Sequence, residues 1–171
     1  MSRFAAPISE TIWDMKYRLK RPDGSAVDAT VEETWDRVAN ALARAEADPG
    51  RWVAPFREAL EEFRFLPAGR IVAGAGTGRS VTLFNCFVMG TIPDSMAGIF
   101  DALKEAALTM QQGGGIGYDF STIRPKGAPV AGVAADASGP LSFMDVWDAM
   151  CRTIMSAGSR RGAMMATMRC D

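Results

Sequence analysis

Three cysteines, two basic loop pairs and one aspartate hold most of the chemistry available to this 171-residue sequence. Cys86 lies in VTLFNCFVM at 81–89, directly after the polar Asn85 and inside an otherwise apolar run. A thiol there is either a packed sulfur or a redox group, and a redox cysteine needs a partner within reach. Cys151 falls on an apolar helical stripe and reads as core, while Cys170 has no packing context. The run Gly113-Gly114-Gly115-Ile116-Gly117 could bring backbone N–H groups close to an anion or sugar, or could form a tight turn. It follows a helix and precedes extended chain, so it is not the dinucleotide-binding fingerprint, and no GxxxxGK[ST] loop occurs. The spacing of Gly74, Gly76 and Gly78 is a weaker signal of the same kind. Arg124 and Lys126 sit in a Pro/Gly loop, and Arg160 and Arg161 in a Gly-flanked one. Arginine suits bidentate phosphate contact, so two such loops could clasp a phosphate if they meet. Asp94 offers two acceptor oxygens to a sugar hydroxyl, or caps the helix that follows it.

Other chemistries are excluded. The sequence has no histidine, which removes imidazole bases, histidine metal sites and Ser-His-Asp triads. The cysteine spacing matches no disulfide framework and no CxxC site, so no metal is expected, and the odd count fits a reducing compartment. Nineteen basic and 20 acidic residues give a formal charge of -1. That argues against broad attraction to DNA or membrane. No signal peptide and no eighteen-residue apolar run appear, so a cytoplasmic location is expected. Apolar residues make up 48% of the chain, enough for a core.

Several elements must position these groups. Ile12, Trp13, Met15, Tyr17 and Leu19 form a short packing segment, and Arg21-Pro22-Asp23-Gly24 a turn. Thr30 with Glu33 reads as a capping box, and Trp35, Val38, Ala39 and Leu42 follow at helical spacing. Asp48-Pro49-Gly50 breaks that helix. A second helix carries Val53, Phe56, Leu60 and Phe63, so residues 30–65 form an αα-hairpin. Residues 67–80 read as loop, and 81–89 as a strand with two apolar faces, one bearing Cys86, which suits cover on both sides. A helix with Met96, Ile99, Phe100, Leu103, Ala107 and Met110 follows and ends at the glycine run. Residues 116–123 read as extended and 125–139 as a long loop. Pro140 opens a helix carrying Phe143, Met144, Trp147, Met150, Cys151 and Ile154. It ends near Gly158 and leads into a Met-rich extended stretch. The pattern is α/β. The dense motif region at the end of the sequence reads as a cut inside a larger fold, or as one piece of a split protein.

Five strings occur in order: LPAGRIVAGAG at 66–76, TLFNCFV at 82–88, QQGGGIGYDFSTIRPKG at 111–127, ASGPLSFMDVWDAM at 137–150 and GSRRGAMMATMRCD at 158–171. Together they resemble the front part of the ribonucleotide reductase catalytic subunit. TIWDMKYRLK at 11–20 is most similar to the adenosylcobalamin-dependent class. The resemblance covers nearly the whole chain. It implies an α/β fold, with an N-terminal helical region at 1–66 and, at 67–171, the first part of a ten-stranded α/β barrel.

By the same resemblance, Cys86 matches the cysteine that reduces the substrate radical and then forms a disulfide with a second cysteine far along the chain. Ala68, Asn85, Gly114, Gly115 and Arg160 fall where the family binds substrate, with Arg161 the rival of Arg160. Asp94 matches the residue holding the effector deoxyribose. Arg124 matches an effector-phosphate arginine beside Lys126, and Arg161 is assigned to the effector side. Residues 124–130 and 158–166 would be specificity loops. Helices 95–111 and 141–156 resemble those that pair in a homodimer. The implied partners are a ribonucleotide, a deoxynucleoside triphosphate effector, the C-terminal barrel half or a partner chain, and a dithiol reductant such as thioredoxin. Adenosylcobalamin would be held mainly outside this chain. The radical cysteine, its glutamate and asparagine neighbours and the paired reducing cysteine lie later in such enzymes and match nothing here. The chain alone is therefore expected to be inactive. A regulatory nucleotide-binding module and a structural remnant are the alternatives.

Overall fold

A computed structural model describes residues 3–132, 134–154 and 163–171. These form two compact units, Met1–Leu83 and Phe84–Asp171.

The first unit is helical: α1 (Pro7–Lys16), α2 (Val31–Ala43), α3 (Pro49–Leu60), a 3-10 turn (Glu61–Phe63) and α4 (Gly69–Gly74). Thr30 caps α2 by accepting the Glu33 N–H at 3.4 Å, while the Glu33 carboxylate receives the Ala29 N–H. Asp48 caps α3, with Pro49 fitting its first turn. Trp13, Val31, Trp35, Val38, Ala39, Leu60 and Ala75 form the core. The αα-hairpin follows the sequence reading. Residues 67–80 do not remain loop. Gly69–Gly74 winds into a helix because Ile71 packs on the core and Arg37 binds the carbonyls at its far end, Val72 O at 3.1 Å and Ala75 O. Residues 67–83 thus pack with the helices, whereas the sequence reading drew its boundary at 66/67.

The second unit alternates β1 (Cys86–Thr91), α5 (Met96–Gln111), β2 (Gly115–Asp119), α6 (Pro140–Thr153) and β3 (Met164–Thr167). The sheet is parallel throughout, in the order β1-β2-β3. Strands that advance in one direction through successive crossovers of one hand place their helices on one face. Accordingly Ile99, Ala102, Ala106 and Met110 of α5 join Ile116 and Tyr118 of β2 and Trp147 of α6 in one core. Trp147 is fully buried, edge-on to Tyr118 and Phe120. The Tyr118 hydroxyl donates to Ala102 O at 2.8 Å, and burial followed by the Glu105 carboxylate pushes its pKa well up.

Two expectations change here. The strand begins at Cys86 rather than 81, since Val81 and Leu83 pack around Gly74 in the helical unit. The sheet is covered on one face within its unit. Its other face carries Cys86, Val88 and Met165, with Val88 97% and Met165 67% exposed. Helix α6 ends at Thr153, and the second specificity loop expected at 158–166 lies mainly outside the described residues, as do Arg160 and Arg161.

Candidate functional site

Cys86 opens β1 on the uncovered face, exposed and free. Its register partner on β2 is Gly115. A Cβ at 115 would lie 3.3 Å from the Cys86 sulfur and 3.3 Å from Ala163 O. Glycine therefore keeps the space beside the thiol open. The three glycines before Ile116 do not cradle an anion with their N–H groups. Gly113 donates to Met110 O at 2.9 Å, Gly114 to Thr109 O at 3.0 Å and Gly115 to Asn85 O at 2.8 Å. Gly113, at φ 90°, turns the chain out of α5. Gly114 lies under Phe87, where a Cβ would sit 2.7 Å from the ring. Gly114→Ala should thus cost about 1–3 kcal/mol through overpacking. Urea unfolding checks this, and an unchanged midpoint would show that Phe87 yields freely.

The other two cysteines differ. The Cys151 sulfur lies 3.3 Å from the Met110 sulfur and 3.7 Å from that of Met164, and burial followed by Asp148 pushes its thiol pKa up. This is a packed sulfur, as its helical stripe predicts. Cys170 is exposed.

A second locus forms past the C-terminal ends of β1 and β2, where parallel α/β sheets bind ligands. The turn after β2 is built by Asp119, whose carboxylate accepts the Ser121 N–H at 2.9 Å and its hydroxyl at 2.5 Å. Ser121, hydroxyl first and then backbone, holds that carboxyl below its usual range. Thr122 donates to Ile92 O, and Ile123 is buried. These anchors deliver Arg124 to Asp94. Arg124 Nε donates to Asp94 Oδ2 at 2.8 Å, its backbone N–H to Oδ1 at 3.3 Å, and Nη1 to Pro129 O at 3.3 Å. Capping of α5 falls instead to Ser95, which accepts the Gly98 N–H. Lys126 is exposed, with its backbone against Gly139. Cys86 and Thr91 stand five residues apart on β1, roughly 17 Å of strand, so thiol and ion pair are distinct places.

Ala68, exposed, is the N-cap of α4 in the helical unit. Asn85, also exposed, contributes its carbonyl to Gly115. Two features had no sequence signal. One is the buried Asp28–Arg37 pair, discussed below. The other is an apolar groove of about 530 Å³ in the helical unit, lined among others by Trp13, Trp35, Leu60, Phe63 and Leu66. Among the described residues no group of three His, Cys, Asp or Glu side chains could hold a metal, and no helix is long and apolar enough to cross a membrane.

An all-helical unit is followed along the chain by a parallel α/β sheet with a thiol on the sheet's open face. The description "Ribonucleotide reductase, all-alpha domain" matches residues 3–80, and "Ribonucleotide reductase, barrel domain" matches 84–171. The chain belongs to the ribonucleotide reductase large-chain family. It is 37% identical over 163 residues to a vitamin B12-dependent ribonucleoside-diphosphate reductase of Mycobacterium tuberculosis, covering 92% of this chain and 23% of that one. A protein of the same name from Thermoplasma acidophilum is 34% identical over 141 residues, 82% of this chain and 18% of its own. The ribonucleoside-diphosphate reductase subunit alpha of Helicobacter pylori is 31% identical over 155 residues, 91% of this chain and 19% of its own. The chain thus spans about a quarter or less of these relatives.

Proposed function

We propose that this chain supplies the reducing-thiol strand and the effector-binding loop of a vitamin B12-dependent ribonucleotide reductase, and that it does not turn over alone. The observation that carries the reading is the exposed Cys86 thiol on the uncovered sheet face, beside a glycine that leaves room for a ligand. In this reading the substrate lies over that face. Asn85, Gly114 and Gly115 shape its bed by close approach, and the family resemblance assigns Ala68 and Arg160 to the same substrate. Cys86 and a cysteine later in the complete barrel give two electrons and two protons, the 2′-hydroxyl leaves as water, and the two sulfurs join as a disulfide. A dithiol protein such as thioredoxin resets it.

Adenosylcobalamin would supply the initiating radical chemistry. The described residues offer it no imidazole and no ligating cluster, so in this reading it is held mainly by the rest of such an enzyme. The effector, a deoxynucleoside triphosphate, is assigned to Asp94 and Arg124, and the family resemblance adds Lys126 and Arg161. Met96, Phe100 and Leu108 on α5 and Leu141 on α6 are exposed, which supports pairing of two subunits through these helices. A cytoplasmic setting keeps the free thiols reduced.

Grafting residues 1–171 onto the remainder of the mycobacterial relative tests the reading. The chimaera should reduce a ribonucleotide with adenosylcobalamin and a dithiol, and the isolated chain should not. A folded but inactive chimaera that still binds deoxynucleoside triphosphate would instead favour a regulatory module. In either form Arg124→Ala should weaken deynucleoside triphosphate binding by roughly 10-fold or more, the scale of lost charge-assisted hydrogen bonds. Unchanged affinity by calorimetry would remove Arg124 from the site.

A further inference from the structure

The Asp94–Arg124 pair does more than juxtapose two contacts. The guanidinium already has acceptors for one N–H on each of its three nitrogens, and Nη1 and Nη2 keep one N–H apiece. Nε is held by the Asp94 carboxylate at 2.8 Å, Nη1 reaches Pro129 O at 3.3 Å and Nη2 reaches Asp94 O at 3.5 Å. The carboxylate also accepts the Arg124 backbone N–H at 3.3 Å and keeps lone pairs for a further donor. Both side chains are about one-third exposed, 32% and 35%, so solvent weakens the attraction without removing it.

Charge and geometry point the same way. An incoming anion meets a neutralised arginine, not a free one, and also meets the carboxylate beside it. A bare polyphosphate reaches only the remaining N–H on Nη1 and Nη2 unless it displaces their carbonyls, and it gains nothing from Asp94. A nucleotide brings in addition a sugar hydroxyl, a donor that the carboxylate can accept. Its phosphates replace the two long carbonyl bonds while its sugar satisfies the acceptor. The Nε bond, the shortest of the set, can persist throughout.

We propose that Asp94 acts as a selectivity gate on Arg124: by neutralising the guanidinium in the empty site, it discriminates against inorganic polyphosphate and in favour of ligands that carry both a sugar hydroxyl and phosphates. The proposal rests on the effector-site reading above. It assigns Asp94 two opposed effects, one on each half of the ligand.

The test is calorimetric titration of the full chain with a deoxynucleoside triphosphate and, separately, with inorganic tripolyphosphate. In Asp94→Asn the amide oxygen still accepts from Nε, but the charge is gone. Tripolyphosphate should bind about 3-fold tighter, the scale of a partly exposed ion pair. The deoxynucleoside triphosphate should bind roughly 10-fold weaker, from the lost charged acceptor. Opposite signs from one substitution cannot come from misfolding, which weakens both ligands. Asp94→Ser serves as a second variant with the same signs expected. If the wild-type chain binds deoxynucleoside triphosphate but the variants weaken both ligands, or leave tripolyphosphate unchanged, the gate is wrong and the effector site stands. If the wild-type chain binds neither ligand, the effector reading fails and takes the gate with it.

Discussion

Cys86→Ser in the chimaera should reduce multiple-turnover nucleotide reduction by on the order of 10³-fold or more, the scale seen when an essential reacting group is removed. Serine fits the same place at the start of β1, where Gly115 leaves space beside the sulfur. The fold should therefore survive while the electron source is lost. Cys151→Ser is the matched control. Its sulfur sits among Met110 and Met164 in the core, so that change should affect stability and spare chemistry. Steady-state assays of both variants check the pair. A Cys86→Ser protein retaining even a tenth of the rate would remove the thiol from the mechanism.

The second large effect concerns stability. Asp28 and Arg37 form an ion pair whose side chains are only 4% and 9% exposed. Arg37 also donates to the carbonyls of Tyr17, Val72 and Ala75, and Asp28 accepts from the Thr34 hydroxyl and the Leu19 N–H. One guanidinium thus ties α1, α2 and the end of α4 together. Arg37→Met strands a buried carboxylate and should cost the helical unit about 3–5 kcal/mol. Replacing both partners with apolar residues should recover part of that loss. Burial alone would raise the Asp28 carboxyl, but Arg37, Thr34 and the Leu19 N–H outweigh it and hold it below its usual range. A depressed carboxyl stabilises the fold above its unfolded pKa, about 4. That contribution is lost as the pH falls through the lower folded value. Denaturant melts of wild type and Arg37→Met from pH 7 to pH 2 should converge at the acid end. A loss under 1 kcal/mol at pH 7 would contradict this account.

Legibility in the sequence followed the range of the interaction. Helices α2, α3, α5 and α6 were readable because stripe, cap and breaker all act within a few residues, as with Thr30 and Pro140. The start of β1 was not. Val81–Met89 is mostly apolar, but a strand needs a ladder partner, and β2 begins only at Gly115, opposite Cys86. Cover on both faces was read from composition alone. Composition says that a face is apolar, not what lies on it. Asp28–Arg37 had no spacing signal, because its contacts join residues six to 38 apart. Asp94 and Arg124, 30 residues apart, were each candidates from residue type and loop setting, but only the family strings joined them in one effector site. Their mutual ion pair was not foreseen.

The most direct measurement is peptide mapping of the chimaera after a single turnover without external reductant. Cys86 should appear in a disulfide with a cysteine from the downstream segment, one per deoxyribonucleotide formed. Product accumulating while Cys86 stays fully alkylatable would contradict the account.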